Sequence, residues 1–415
     1  MYFYHENFIL FEYLSEYMVS NTNKDKDFND SIPGALQSRA ALHDPFEWYA
    51  ENRREAPVHY DSHRGVYDVF TYDYIRTALQ EDELLVRKKL SDHSGKNPFA
   101  YLDKGMVWTD GTDHKQTKAQ LFKYFRPEIL ADLEDSIEAI ATEQLEMVLA
   151  EGTTFDFVEK FADPVPLRVI MDVVGIPRDG QQQMLQWLNT FREVMNSEYS
   201  AEESREPDRM AEPVAYFRDL VARRETDPRD DLISALATET ELDEEVIGAN
   251  CFDFILAGHG TMAEFLSNAL YLFVRNDLVD GHGQYDLDIV LEEVLRYRSP
   301  LQSRARKTTA PVTIADTEIP GGETVILWLG AANRDPARYD DPGTFVPDRD
   351  PEHLAFGNGP HTCIGAPLAR LEGPILMRTV LERFDDIELH MDEAEPMSKA
   401  SKLGFQTLPV TVERA

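Results

Sequence analysis

The chain is poor in cysteine, poor in lysine and without any long uncharged apolar run, and each shortage removes a class of protein. Two cysteines among 415 residues, Cys251 and Cys363, cannot build a disulfide framework, and no C-x-x-C pair is present for zinc or thioredoxin-type chemistry. A reducing, cytoplasmic compartment is expected. Residues 1–18 are aromatic, but they carry Glu6, Glu12 and Glu16 and lack both a basic leader and a small-residue cleavage site. Neither a signal peptide nor a membrane-spanning helix is therefore expected. Only 41 Lys and Arg oppose 76 Asp and Glu, for a net charge of −35. So acidic a chain is ill suited to nucleic acid or to anionic membranes. Just 13 of the basic residues are lysine. An acid-rich, lysine-poor surface stays hydrated in concentrated salt, where charges are screened within about 3 Å at 1 M; an ordinary acidic enzyme has the same balance.

Hydrophobic residues make up 42 % of the chain, enough for a large core. The length allows two or three domains or one large one. Residues 1–40 read as an N-terminal extension without fixed packing, and residues 41–415 as a single domain. Strand-like runs lie early, at 66–71, and late, at 312–314, 324–329 and 408–412. Helical spacing of apolar residues marks 128–150 after Pro127, then 216–224 and 231–238, split by Asp227-Pro228. Residues 244–275 form the longest periodic run, a helix of roughly 45 Å at 1.5 Å per residue. A mainly α (α+β) fold is expected: one large helical domain with a small β region contributed by both ends of the chain.

The most informative segment is Phe356-Gly357-Asn358-Gly359-Pro360-His361-Thr362-Cys363-Ile364-Gly365. Three glycines and a proline around one cysteine make a tight turn that an ordinary core cysteine does not need. A helix follows, with Pro367 in its first turn and Leu368, Leu371 and Ile375 on one face. A sulfur just before a helix N-terminus sees unpaired N–H groups that favour thiolate. Such a thiolate can ligate iron or act as a nucleophile, for which the adjacent His361 alone would be a thin partner set. A third reading is simple packing, the role expected of Cys251 on the long helix.

The loop resembles the haem-binding signature of the cytochrome P-450 family, F-x-x-G-x-x-x-C-x-G, with Phe356, Gly359, Cys363 and Gly365 on its fixed positions. The resemblance, closest to soluble bacterial members, extends from about Leu42 to the C-terminus. It implies the P-450 fold and a haem b whose iron takes Cys363 as axial thiolate, with Phe356, Gly357 and Gly365 shaping the loop. Glu293 and Arg296 fit the family's E-x-x-R helix, and Arg349 would complete a buried structural cluster with them. His114, Lys118, Arg306 and His361 fall where the family holds the haem propionates; Arg304 competes with Arg306, which is preferred on spacing.

Within the long helix, Ala257-Gly258-His259-Gly260-Thr261 matches the family segment over the open face of the haem. Interior glycines cost about 1 kcal/mol each relative to alanine, which suggests close approach of a partner. Thr261 stands where the family's proton-orienting threonine belongs, and Gly260 where its acid belongs. Glu264, about one turn on, or a water beside Gly260 would have to replace that acid. The resemblance further implies oxygen insertion from O2 into a small apolar organic substrate, with electrons from NAD(P)H through a separate reductase and ferredoxin. Residues 114–127 carry Lys115, Lys118, Lys123 and Arg126 and no acid, a natural face for an acidic ferredoxin. Peroxide-driven oxidation, rearrangement, and haem binding without turnover stay open as alternatives. Substrate selectivity is expected in residues 97–106, 185–216 and 301–304. A cytoplasmic monomer is expected, with no nucleic-acid or membrane partner.

Overall fold

Glu244 and Glu245 in the first turn and Arg275 in the last place complementary charges at the two ends of a 32-residue helix, Glu244–Arg275. Its bounds are those that the apolar spacing predicts. The computed structural model describes residues 32–81, 85–87, 97–197, 210–279 and 282–414. With the central helix numbered α6, the main helices are α1 (Gly111–Phe122), α2 (Glu134–Glu151), α3 (Pro164–Val174), α4 (Ala211–Thr226), α5 (Leu232–Glu239), α7 (Leu287–Tyr297) and α8 (Ala366–Leu381), of which α3, α4, α5, α7 and α8 pack directly against α6. Cys251, Ile255, Leu266, Ala269 and Phe273 of α6 are fully buried in the main core. Helix α2 begins later than its apolar pattern suggests, because Pro127–Leu130 closes a turn of its own and Ala131–Leu133 tightens into a 3-10 turn before Glu134.

Both ends of the chain supply most of the strands, and Thr154–Asp156 comes from between them. They are β1 (Val58–Asp61), β2 (Val66–Val69), β3 (Leu85–Val86), β4 (Thr154–Asp156), β5 (Arg304–Thr308), β6 (Val312–Ile314), β7 (Thr317–Ile319), β8 (Thr324–Leu327), β9 (Phe384–Leu389), β10 (Glu395–Pro396), β11 (Phe405–Thr407) and β12 (Pro409–Arg414). The main sheet has the order β1-β2-β8-β5-β3, with β2 and β8 parallel. A three-stranded sheet runs β4-β12-β9, and β6-β7 and β10-β11 are separate hairpins. The mainly helical fold with a small β region is as expected.

Packing begins before residue 41. Ile32 and Leu36 are buried against Tyr49, Phe70 and Trp328, so at least the last part of the expected extension belongs to the folded domain. Residues 1–31, together with 198–209 of the expected substrate-selecting stretch, lie outside the described residues.

Candidate functional site

The cysteine loop is closed by a backbone bond from Cys363 N–H to Phe356 O, 2.9 Å. Gly357 and Gly359 adopt φ of 74° and 72°, a region costly for any side chain. At Gly359 a Cβ would also stand 2.6 Å from Leu79 O, so glycine is needed there twice over. Asn358 Oδ1 accepts from Gly359 N–H at 2.6 Å and starts the 3-10 turn Gly359–His361. The Phe356 ring lies beneath the Arg370 guanidinium, 4.6 Å from its carbon.

Cys363 retains exposed surface, yet burial by surrounding protein is the strongest influence on its thiol and pushes it up. The N–H groups of Gly365 and Ala366 and the cations Arg304 and Lys118 act in the opposite direction. The helix N-terminus thus favours thiolate as the sequence suggests, but does not by itself outweigh desolvation. A sulfur with free surface inside a shell of protein borders a hollow. Ala257 carries the same mark: it is exposed midway along α6, between fully buried Ile255 and His259.

Thr261 lies one turn beyond Ala257 and donates its hydroxyl to Ala257 O at 2.6 Å. Gly258 has a purpose the sequence did not reveal. A Cβ there would stand 3.2 Å from Ile170 Cγ1 of α3, so this glycine serves helix packing, not the hollow. His259 turns its Nε2 toward Asp163 Oδ1 at 2.7 Å, away from the stripe of Ala257 and Thr261. Glu264 is 4 % exposed, and both of its carboxylate oxygens accept from Lys402 Nζ, at 2.8 and 2.9 Å.

The candidate propionate residues gather beside the loop, but not all are free for a guest. The rings of His114 and His361 lie 4.0 Å apart. His361 Nε2 bonds Asp110 Oδ1 at 2.8 Å, and Asp110 Oδ2 accepts Arg87 N–H at 2.9 Å. His114 Nδ1 is buried without a hydrogen-bond partner. Burial first, then His361 and Lys118, hold the His114 ring at about 4, so it is neutral at pH 7. Lys118 Nζ is occupied: it donates to Pro360 O at 2.5 Å and Thr362 O at 2.7 Å, clasping the cysteine loop from α1.

Arg87, which sequence reasoning missed, stands among these groups. Burial, Arg304 and Arg306 bring it down to about 9, and burial and Arg304 bring Arg306 down to about 10. Among the described residues neither Arg87 nor Arg304 has an ion pair. Cations gathered in this way, Arg306 buried and Arg87 and Arg304 half-buried, call for an anionic guest. The unpartnered His114 Nδ1, this cationic face and the accessible sulfur together fit a flat dianionic macrocycle bound through sulfur.

The predicted structural cluster also assembles. Arg296 donates to both oxygens of Glu293, at 2.6 and 2.7 Å, and Arg349 Nε lies 3.2 Å from Glu293 Oε1. Glu293 and Arg296 have no exposed surface. The remaining guanidinium donors of Arg296 reach Asn333 O, Pro342 O and Thr344 O, locking the chain that leads toward the cysteine loop.

A sulfur-ligated haem protein is the class this site defines. The family model for cytochrome P-450 matches residues 286–414. Cytochrome P-450(BM-1) of Priestia megaterium is 30 % identical over 91 % of this chain and 97 % of its own. The erythromycin C-12 hydroxylase of Saccharopolyspora erythraea is 29 % identical over 92 % of this chain and 96 % of its own. A Bacillus megaterium cytochrome P-450 crystallised with testosterone superposes with a TM-score of 0.81 at 29 % identity, covering 90 % of this chain and 99 % of the other. The chain belongs to the cytochrome P-450 family: it is a haem-thiolate monooxygenase, and its cofactor is haem b. Among the described residues no helix is long and apolar enough to cross a membrane.

Proposed function

We propose that Cys363 supplies the axial thiolate and that the enzyme inserts one oxygen atom from O2 into an apolar organic substrate held between the cysteine loop and α6. The accessible sulfur of Cys363 beside an unanswered cationic face carries this reading. Haem held by a thiolate receives electron density that favours O–O cleavage. Arg306, Arg87 and His114 Nδ1 would hold the haem propionates, while His361 is oriented by Asp110 and Lys118 braces the loop. Phe356, Gly357 and Gly365 keep the loop thin enough for a flat partner. Ala257 and Gly260 leave the facing side of α6 without bulk. Glu264 is tied to Lys402 and Gly260 offers no acid, so protons reach Thr261 Oγ1 through water.

Electrons come from NAD(P)H through a separate reductase and ferredoxin. The docking face is α1 and the turn after it. Lys115 and Arg126 are exposed there, and Phe122 and Ile129 add apolar surface with 44 % and 56 % exposure. Lys118 links this face to the loop that carries the sulfur. Peroxide-driven oxidation is the second reading, favoured by the missing acid at Gly260. Oxygen uptake assayed with NADPH, reductase and ferredoxin, against hydrogen peroxide alone, separates the two. Product formed only with the electron-transfer proteins supports monooxygenation, and product formed equally with peroxide alone contradicts it.

A further inference from the structure

One residue before Glu293, α7 carries a second acid that pairs in another direction. Glu292 accepts two parallel bonds from Arg370 of α8: Nε reaches Oε1 at 2.8 Å, and a terminal guanidinium nitrogen reaches Oε2 at 2.9 Å. Oε2 also meets His353 Nε2 at 3.0 Å. On the other side of that ring the Ala355 N–H, which can only donate, lies 3.2 Å from His353 Nδ1. Nδ1 must therefore accept, so the imidazole is neutral and its Nε2 donates to Glu292. Arg370 is thus the cation that answers the Glu292 charge.

Both partners of Glu292 converge on Phe356. The Arg370 guanidinium carbon stands 4.6 Å from the centre of the Phe356 ring, and the His353 ring lies 5.9 Å away. The carbonyl of the same phenylalanine accepts the Cys363 N–H at 2.9 Å. A cation is attracted to an aromatic face, and a bidentate guanidinium–carboxylate pair is fixed in orientation. One ion pair therefore holds both the geometry and a fixed charge behind the cysteine loop.

We propose that Arg370 and Glu292 are positioning residues for the reduction step: their paired charges, held against Phe356 behind the cysteine loop, set the potential at which ferric haem iron takes up one electron. This rests on the haem-thiolate reading of the site. An electron entering the iron lowers the local charge by one, so a nearby cation stabilises the reduced form and a nearby anion the oxidised form. The guanidinium is half exposed, so its influence is limited by solvent as well as by Glu292. Splitting the pair from its two sides should move the potential in opposite directions. Loss of a purely structural brace would not.

The test is a redox titration of purified haem-loaded enzyme with dithionite, followed by the ferric and ferrous absorption bands, on wild type, Arg370→Gln, Arg370→Lys and Glu292→Gln. Arg370→Gln should lower the potential and Glu292→Gln should raise it. Arg370→Lys keeps the charge but loses the planar fork, and should fall between wild type and Arg370→Gln. Both shifts should shrink as salt is raised, and every variant should keep its haem. An unchanged potential in both glutamine variants, or shifts in the same direction, overturns the proposal. Loss of haem from either glutamine variant would make the pair a brace for the fold and overturn it as well. Absence of the thiolate band from the reduced, CO-bound wild type would overturn the underlying reading of the site, an outcome distinct from these.

Discussion

Lys402 Nζ grips both carboxylate oxygens of Glu264, joining the middle of α6 to the loop before β11 across 138 residues of sequence. The only acid within a turn of Thr261 on α6 is thereby an anchored charge. Gly404 packs against it so closely that a Cβ would stand 3.0 Å from Glu264 Cα.

Removing the cation should deprive a nearly buried carboxylate of its ammonium partner. Lys402→Met is expected to lower stability by roughly 3 kcal/mol, read from urea unfolding. Glu264→Gln should lower the melting temperature yet leave the ratio of product to electrons consumed unchanged. Gly260→Asp, which restores an acid beside Thr261, should raise that ratio. A loss of coupling in Glu264→Gln at unchanged stability would show that Glu264 delivers the protons itself.

Breaking the Glu293 cluster should be more damaging still. Arg296 is fully buried and makes five hydrogen bonds, to Glu293 and to three carbonyls. Arg296→Met strands the Glu293 charge and should cost about 3–5 kcal/mol. Expression should yield little soluble, haem-loaded protein. Arg349→Lys, at the more accessible partner 3.2 Å from Glu293, should retain haem and lose far less stability.

Asp253 predicts a pH dependence. Its Oδ1 accepts from Trp108 Nε1 at 3.0 Å and its Oδ2 is buried without a partner. Burial pushes this carboxyl up from 3.8 to about 8, against the pull of Trp108 and Arg87. An acid whose folded pKa is raised keeps its full contribution below pH 3.8 and loses it as pH rises toward 8, at about 1.4 kcal/mol per unit. Stability should therefore fall between pH 5 and 8 more steeply than in Asp253→Asn, which keeps the acceptor for Trp108. Parallel wild-type and variant stability curves over that range would contradict the assignment.

The partner face has its own prediction. Arg126 is exposed at the start of the turn after α1, beside exposed Phe122 and Ile129. Arg126→Glu should slow reduction by ferredoxin several-fold at low salt, with the difference shrinking as salt screens it. Substrate binding should be unchanged. Equal reduction rates at low ionic strength would remove α1 from the docking site.

Local patterns make much of this legible in the sequence. Apolar periodicity set the bounds of α6, and spacing around Cys363 set the turn and helix of the loop. Glu293 and Arg296 share a helix face, so their pairing follows from sequence separation alone. What stayed hidden depends on distant pairing. Arg87 gains its meaning only from following β3, which pairs with the strand that carries Arg306. Lys118 has the expected charge, but its role as a clasp depends on two carbonyls more than 240 residues away. Gly258 carries the same letter as a glycine facing a cofactor, and only its contact with Ile170 distinguishes the two.

On the proposed reading, the Cys363 sulfur holds the haem iron. The reduced, CO-bound absorption spectrum tests it most directly. The wild-type protein should show the red-shifted Soret band of a thiolate ligand, and Cys363→Ser should lose that band, while Cys251→Ser, in the core of α6, should keep it. A Cys363→Ser protein that retains the band would contradict the account.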